Sequence, residues 1–116
     1  MATAPRLSAS DRRQQLLDTA VALVVTQGAG AVTMERLAEQ AGVSKALPYL
    51  HFENADAVLA AVYEIEVAHI GRKVRAGMAE QTEPADKITA AVHAYFDAVA
   101  DRGAVFTALS ARPTWP

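Results

Sequence analysis

Residues 33–52 of the chain read TMERLAEQAGVSKALPYLHF. This stretch places two short segments with helical spacing on either side of Gly42. Thr33 is suited to cap the first segment, and Ser44 to cap a second one that ends near Phe52. Glycine tolerates the left-handed backbone that ends a helix, so Gly42 is expected to form the turn. The stretch therefore predicts two short helices joined by a tight turn.

This arrangement has the layout of a helix-turn-helix, in which a support helix precedes a helix that enters the major groove of DNA. Ala38 is small where the two helices cross, and Val43 is expected to plug the turn into the core. A plain helical hairpin, in which Gly42 is only a corner, is the structural alternative. Outward side chains of the second helix would meet base edges or phosphates. The predicted readers are Lys45, Leu47, Tyr49 and His51.

The flanking sequence is rich in alanine, valine and leucine, which favours an all-α fold. A capping pattern at residues 8–11 predicts a first helix over about residues 10–27, ended by Gly28 and Gly30. The buried side of the second helix is expected to hold Leu37, Ala38 and Ala41. That of the first helix is expected to hold Leu16, Leu17, Ala20, Val21, Val24 and Val25.

Longer helices are predicted after residue 53. A fourth helix begins at Asn54 or Asp56 and ends near Met78, where Gly71 and Gly77 weaken its last turns. Its apolar stripe comprises Val58, Leu59, Val62, Ile65, His69, Ile70 and Val74.

The sequence Thr82-Glu83-Pro84 is a start signal for a fifth helix, which Gly103 is expected to close. Residues 104–111 then predict the beginning of a sixth helix, cut off by the Pro113 and Pro116 that flank Trp115. The apolar positions of the fifth helix are Ile88, Ala91, Val92, Tyr95, Phe96 and Val99.

Composition excludes several classes of protein. With 116 residues, 52% hydrophobic and 21% charged, the chain is large enough for one modest core and is not compositionally disordered. A net charge of −2 excludes a strongly basic coat protein but permits a local DNA-binding face. The absence of cysteine excludes disulfides and thiolate chemistry. No apolar stretch approaches the roughly 18 residues of a membrane span and no secretory signal is apparent, so a cytoplasmic protein is expected.

Neither catalysis nor a metal site is indicated. The chain has no phosphate loop, no Gly-x-Ser-x-Gly elbow and no clear acid–base pair on one helical face. No two histidines stand three or four residues apart, and no carboxylate joins them at metal-ligand spacing. We therefore expect no enzyme, no metal and no cofactor.

Three runs within the opening stretch resemble the signature of TetR-family transcriptional regulators. They are TMERLA at residues 33–38, AGVSK at 41–45 and YLHF at 49–52, and the resemblance extends over residues 10–65. It implies a homodimeric repressor whose first three helices bind a palindromic double-stranded DNA operator. It also implies C-terminal helices that hold a small-molecule effector, which weakens DNA binding.

The resemblance assigns roles to individual residues. Thr33 would touch a phosphate, Tyr49 would give its hydroxyl to the DNA backbone, and Lys45 and His51 would face the groove. The predicted DNA-binding set is Thr33, Ser44, Lys45, Ala46, Leu47, Tyr49 and His51. The predicted effector-binding set is Ile65, His69, Tyr95, Phe96 and Val99.

Each of these roles has a plainer structural alternative. Tyr49 could be a half-buried aromatic side chain that closes the core, and His51 a partly buried spacer. A satisfied core histidine is the ordinary interpretation of His69. Aromatic residues at helical spacing, such as Tyr95 and Phe96, are ordinary core side chains in most helices.

The sequence departs from the family pattern at three positions. Pro48 stands where members usually have an aliphatic residue, Ala46 where glycine or proline is common, and Ala55 where a lysine usually grips a phosphate. Because proline lacks an N–H group and disfavours α geometry in the preceding residue, the recognition helix is expected to start late or to kink. In that case Leu47 becomes its cap, with Pro48 at the first helical position.

The predicted organisation is an N-terminal arm over residues 1–9, a helix-turn-helix domain over 10–54 and the start of a helical effector and dimerisation domain over 55–116. Family members place their four-helix dimer interface further along the chain. Either the 116 residues belong to a longer protein or the chain pairs differently. The functional alternative is a helical ligand-binding or protein-interaction module that has lost DNA binding, as Pro48 and Ala55 suggest.

Overall fold

The computed structural model describes residues 7–110, and all regular structure in that range is helical. The all-α prediction is thereby confirmed. The predicted residues 1–6 of the N-terminal arm and the predicted helix end at residues 111–116 lie outside the described range. The chain divides after residue 60 into two compact units. Its elements are α1 (Ala9–Gln27), a 3₁₀ turn (Ala29–Ala31), α2 (Met34–Ala41), a second 3₁₀ turn (Leu47–Leu50), α3 (Ala55–Ala79) and α4 (Pro84–Ser110).

Helix α1 begins and ends as its capping residues predict. The Ser8 hydroxyl accepts a hydrogen bond of 3.0 Å from the Asp11 backbone N–H. Gly28, at φ 89°, ends the helix. The prediction was wrong for Val25, which is 49% exposed, because it lies about 100° around the helix from Val24 and beyond the buried stripe. The buried residues are Leu16, Leu17, Ala20, Leu23 and Val24.

Helix α2 packs against α1. Leu37 and Ala38 are buried there, as predicted, whereas Ala41 is only half-buried. The Gln15 side-chain amide on α1 donates a hydrogen bond of 3.3 Å to the Ala41 carbonyl. This bond satisfies one of the carbonyl groups that every helix end leaves without an intrahelical partner. The support helix is therefore fixed both by apolar packing and by a polar contact at its end.

The turn after α2 is a Schellman motif. Gly42 has φ 70° and ψ 34°, the left-handed conformation that its sequence position predicts. Its N–H donates to the Glu39 carbonyl at 3.2 Å, and the Val43 N–H donates to the Ala38 carbonyl at 3.0 Å. The expected tight turn is present, and Val43 is half-buried beside it.

Replacing Gly42 with alanine is expected to lower the free energy of unfolding by about 1–2 kcal/mol, because a Cβ atom strains the left-handed conformation. Beyond Gly42 and its two chain neighbours, no atom lies within 4 Å of the position that this Cβ would take, so the cost is one of backbone conformation. Gly30→Ala is the matched control, since Gly30 has no positive φ and equally open surroundings. Urea denaturation of both variants measures the difference. Equal stability of the two would contradict this account of the turn.

The third predicted helix is much shorter than expected. Instead of an α-helix over residues 44–52, only Leu47–Leu50 form a single 3₁₀ turn. Ala46 precedes the turn without a side-chain cap, so the predictions of Ser44 or Leu47 as the cap were wrong. Pro48 supplies the reason, since in an α-helix its ring would clash with the Ser44 carbonyl. That carbonyl instead accepts a hydrogen bond of 3.1 Å from the Leu47 N–H.

Helix α3 begins at the first of the two predicted positions, since the Asn54 side chain accepts a hydrogen bond of 2.9 Å from the Ala57 N–H. In the second unit, Gly77 allows close approach to α4. A Cβ at residue 77 would lie 3.2 Å from both the Ala90 carbonyl oxygen and the Ala94 Cβ. Gly77 is therefore a packing residue of the two helices.

Helix α4 runs through Gly103 to Ser110, so the predicted end at Gly103 and the separate sixth helix were wrong. One glycine inside a helix costs only about 1 kcal/mol relative to alanine, and no proline follows within the described helix. Buried positions on α4 include Ala98, Val105 and Leu109. Within residues 7–110, no helix is both long and apolar enough to cross a membrane.

Candidate nucleic-acid interface

The Gly42 turn presents a group of accessible side chains, which we call the turn surface. Its members come from the start of α2, the turn itself and the following 3₁₀ turn. All are exposed, and they include most of the predicted DNA-binding set. The turn surface consists of Thr33, Glu35, Ser44, Lys45, Ala46, Tyr49 and Leu50.

Thr33 stands at the start of α2 with a defined orientation. Its hydroxyl oxygen accepts a hydrogen bond of 3.0 Å from the Arg36 backbone N–H, so the side chain is held as the helix cap. The hydroxyl proton remains available, because a threonine hydroxyl can accept and donate at the same time. An exposed donor in this position can contact a phosphate oxygen.

Lys45 supplies the positive charge of the turn surface. Its side chain is 82% exposed, and its Nζ lies 3.4 Å from Oε1 of Glu35 on α2. The side chain of Glu35 is itself 71% exposed. An ion pair in full contact with water is worth at most about 1 kcal/mol. The Lys45 ammonium can therefore leave or share this partner when another acceptor approaches.

Tyr49 points its ring largely into solvent, with 60% of the residue exposed, and Leu50 beside it is 79% exposed. Their neighbour Pro48 is buried. By contrast, Leu47 and His51 are half-buried. The exposed part of this 3₁₀ turn is thus Tyr49 and Leu50, while two of the predicted readers have restricted access.

The far end of this turn is tied to α1. The Phe52 N–H donates a hydrogen bond of 2.9 Å to the Pro48 carbonyl. Phe52 is itself buried, and the guanidinium carbon of Arg13 lies 4.9 Å from the centre of its ring. A cation over an aromatic face is attractive. The segment after Gly42 is therefore held at both ends despite its single helical turn.

The predicted effector-binding residues differ in exposure. Ile65, Tyr95 and Phe96 are exposed, whereas His69 and Val99 are half-buried. The rings of Tyr95 and Phe96 meet edge to face, with their centres 5.7 Å apart. The expected apolar stripes on α3 and α4 are therefore only partly covered. None of the five residues lines the open groove of about 650 Å³ that runs along α1 past Asp11, Asp18 and Gln40.

Two residues of this region were not singled out from the sequence. Glu35 contacts Lys45 from ten positions away, and Arg13 on α1 contacts Phe52, which follows the second 3₁₀ turn. Neither pair has helical spacing, so only the path of the chain through the Gly42 turn brings its members together. The acidic first turn of α2 was the one local signal for Glu35.

Comparison with known sequences gives a consistent assignment. Residues 16–62 match the sequence model described as bacterial regulatory proteins, tetR family. Over 92 residues the chain is 36% identical to the HTH-type transcriptional activator FasR of Mycolicibacterium smegmatis, covering 79% of this chain and 42% of that protein. It is 30% identical over 87 residues to the HTH-type transcriptional regulator BetI of Brucella canis, covering 75% and 44%. The chain thus spans less than half the length of these relatives.

Solved structures share the fold. The fatty acid degradation regulator FadR from Bacillus halodurans matches with a TM-score of 0.71 and 24% identity, over 87% of this chain and 52% of that one. A TetR family transcription regulator from Marinobacter aquaeolei matches with a TM-score of 0.72 and 19% identity, over 87% and 53%. At these identities the likeness establishes the helical architecture.

Proposed function

Since the chain belongs to the TetR family of bacterial regulatory proteins, we propose that it is a ligand-responsive repressor that binds a palindromic operator as a homodimer. The observation that carries this proposal is the turn surface, where Lys45 and Tyr49 are exposed beside a left-handed Gly42 turn. The DNA-binding domain is assigned to residues 10–54 and the start of the effector and dimerisation domain to residues 55–116. Residues 1–9 would form an N-terminal arm.

In this mechanism two copies present their turn surfaces to successive major grooves, about 34–36 Å apart along the DNA. Lys45 reads a base edge, and the exposed hydroxyls of Thr33 and Tyr49 fix the register on phosphates. Ser44 and Ala46 border the same groove. Leu47 and His51, being half-buried, contribute through whatever edge reaches the DNA, such as a Leu47 methyl group against a thymine methyl.

Tyr49→Phe is expected to weaken binding to all DNA sequences alike, by about 1 kcal/mol, because only a hydrogen bond to the backbone is lost. The ring remains, and because 60% of residue Tyr49 is exposed, folding should be unaffected by loss of its hydroxyl. Affinities of the variant and the parent chain for several unrelated duplexes, measured by fluorescence anisotropy, test this role. A loss confined to some sequences would show that Tyr49 reads bases instead.

An effector would act by linkage. A small molecule that binds better to a form unable to span both grooves releases the DNA. It can weaken DNA binding by no more than the ratio of its own affinities for the two forms. Ile65, His69, Tyr95, Phe96 and Val99 are the residues proposed to contact it. Since a bacterial operator lies in the cytoplasm, the proposal places the protein there.

The direction of regulation is open to a direct test. Occupying an operator that overlaps a promoter excludes the polymerase, which is the basis of the repressor assignment. One relative, FasR, is named as a transcriptional activator. A reporter gene behind the bound sequence should give less product when the chain is expressed. More product would reassign the protein as an activator while leaving DNA binding intact.

A protein-interaction or ligand-binding module without DNA binding is the second candidate. It is favoured by the reduction of the third helix to the turn Leu47–Leu50, by Ala55 at the start of α3, and by the net charge of −2. Salt separates the two functions. Binding anchored on phosphates weakens steeply as salt rises, with a logarithmic slope of about −0.9 per phosphate contact. The interaction module would show no salt-dependent DNA binding.

A further inference from the structure

One carboxylate lies within the turn surface. Glu35 is in the first turn of α2 and Lys45 follows the Gly42 turn, yet their charged atoms are 3.4 Å apart. Among the ion pairs between described residues, this one links α2 to the segment after Gly42 that carries the predicted DNA-reading side chains. An acidic group so placed would be brought towards DNA together with Lys45.

The carboxylate affects the two kinds of DNA contact differently. A lysine ammonium has three N–H donors, so Lys45 can donate to Glu35 and to a second acceptor at once. Guanine O6 and N7 are uncharged acceptors in the major groove, so they repel a carboxylate much less than an anionic phosphate does. A phosphate is anionic, so bringing it to Lys45 places two negative groups around one ammonium. Repulsion between the phosphate and Glu35 then favours exchange of one partner for the other, at a cost in affinity.

From this geometry we infer that Glu35 is a specificity-determining residue, which directs Lys45 towards base edges and lowers affinity for DNA that offers it only phosphates. The inference rests on the proposed function. Specificity is a difference between two affinities, and a repulsive element that weakens the wrong complex raises it. Glu35 would thus improve selection of the operator without itself contacting a base.

The test replaces Glu35 with glutamine, which keeps the shape of the side chain and removes its charge. Two probes are used: the duplex that the parent chain enriches most from a random-sequence library, and a scrambled duplex of equal length and composition. Glu35→Gln is expected to raise affinity for the scrambled duplex by about 2–5-fold, the equivalent of one exposed ion pair. Affinity for the enriched duplex should change less, so their ratio falls.

Salt dependence gives a second readout. With its partner neutral, Lys45 is free to neutralise a phosphate, so the logarithmic salt slope for the scrambled duplex should steepen by up to about 1. An unchanged slope together with an unchanged ratio of affinities would overturn the inference. Circular dichroism of the variant verifies that α2 is intact, since Glu35 also lies in that helix's first turn.

Glu39→Gln is the matched control. Glu39 is exposed on the same helix, one turn further along, and no ion pair among the described residues includes it. It should leave the ratio of affinities nearly unchanged, although it removes the same charge. In a Lys45→Ala background, Glu35→Gln should also have no effect on the ratio. If either expectation fails, the effect is one of total charge and the inference is wrong.

Failure of the proposed function has a different signature. In that case the parent chain would enrich no duplex from the library and would bind the scrambled duplex equally poorly. If instead the parent chain enriches a duplex and Glu35→Gln behaves like Glu39→Gln, the chain is a DNA-binding protein and only the role of Glu35 is rejected.

Discussion

Leu37→Ala is expected to lower the free energy of unfolding by about 2–5 kcal/mol, the range for removing a large aliphatic side chain from a packed core. Leu37 is fully buried on α2, which packs against α1 and against the second 3₁₀ turn. The substitution removes apolar contacts and leaves a cavity that a helix capped at both ends can close only partly. The turn surface should lose its order at lower denaturant concentrations.

Leu50→Ala provides the comparison for this prediction. It deletes the same atoms from a side chain that is 79% exposed, so the free energy of unfolding should change by no more than about 0.5 kcal/mol. Urea denaturation followed by circular dichroism at a helical wavelength measures both variants. If Leu37→Ala were as stable as Leu50→Ala, α2 would not be packed as described.

Lys45→Ala is expected to change the base preference at one position of each half-site of the operator. The free-energy preference for one base over the others should change there by about 1–3 kcal/mol if Lys45 donates to two acceptors of a guanine. The lysine has the exposure and charge for this contact, with its amine held beside Glu35 at 3.4 Å. Selection of duplexes from a random library by the parent chain and by the variant shows which position loses its preference. A uniform loss of affinity, with the same bases preferred, would show that Lys45 contacts only the backbone.

The parts of the fold that the sequence predicted well are those determined by neighbouring residues. The caps at Ser8 and Thr33 each satisfy a backbone N–H three residues away, and Gly28 and Gly42 adopt the positive φ angles that end a helix. Such contacts lie within one helical turn. Their residue types therefore specify them whatever the rest of the chain does.

The errors arise where a local signal competes with helix propagation. Pro48 is an obstacle to an α-helix, but the sequence does not show that it leaves only the 3₁₀ turn Leu47–Leu50. Gly103 was expected to end a helix, yet α4 continues to Ser110, because one glycine is a small cost in a long helix. In both cases a free-energy difference of a few kcal/mol between continuing and ending the helix decides which one forms. Residue type alone does not fix the sign of that difference.

The arrangement of the candidate site could be predicted only in part. Exposure of Lys45 and Tyr49 follows from their positions after the Gly42 turn. The Glu35–Lys45 pair does not, since it depends on the angle at which the chain leaves α2. The exposure of Tyr95 and Phe96 was likewise not apparent, because helical spacing identifies an apolar face without showing what covers it.

The most direct test of DNA binding is to recover and sequence the genomic DNA fragments that the purified protein retains at moderate salt. We predict that the retained fragments share a palindrome whose half-sites are about one helical turn apart, as expected for two turn surfaces in successive major grooves. Absence of any enriched sequence, from a preparation shown to be folded and dimeric, would contradict the account. It would favour an interaction module in which the Leu47–Leu50 turn and Ala55 no longer support DNA binding.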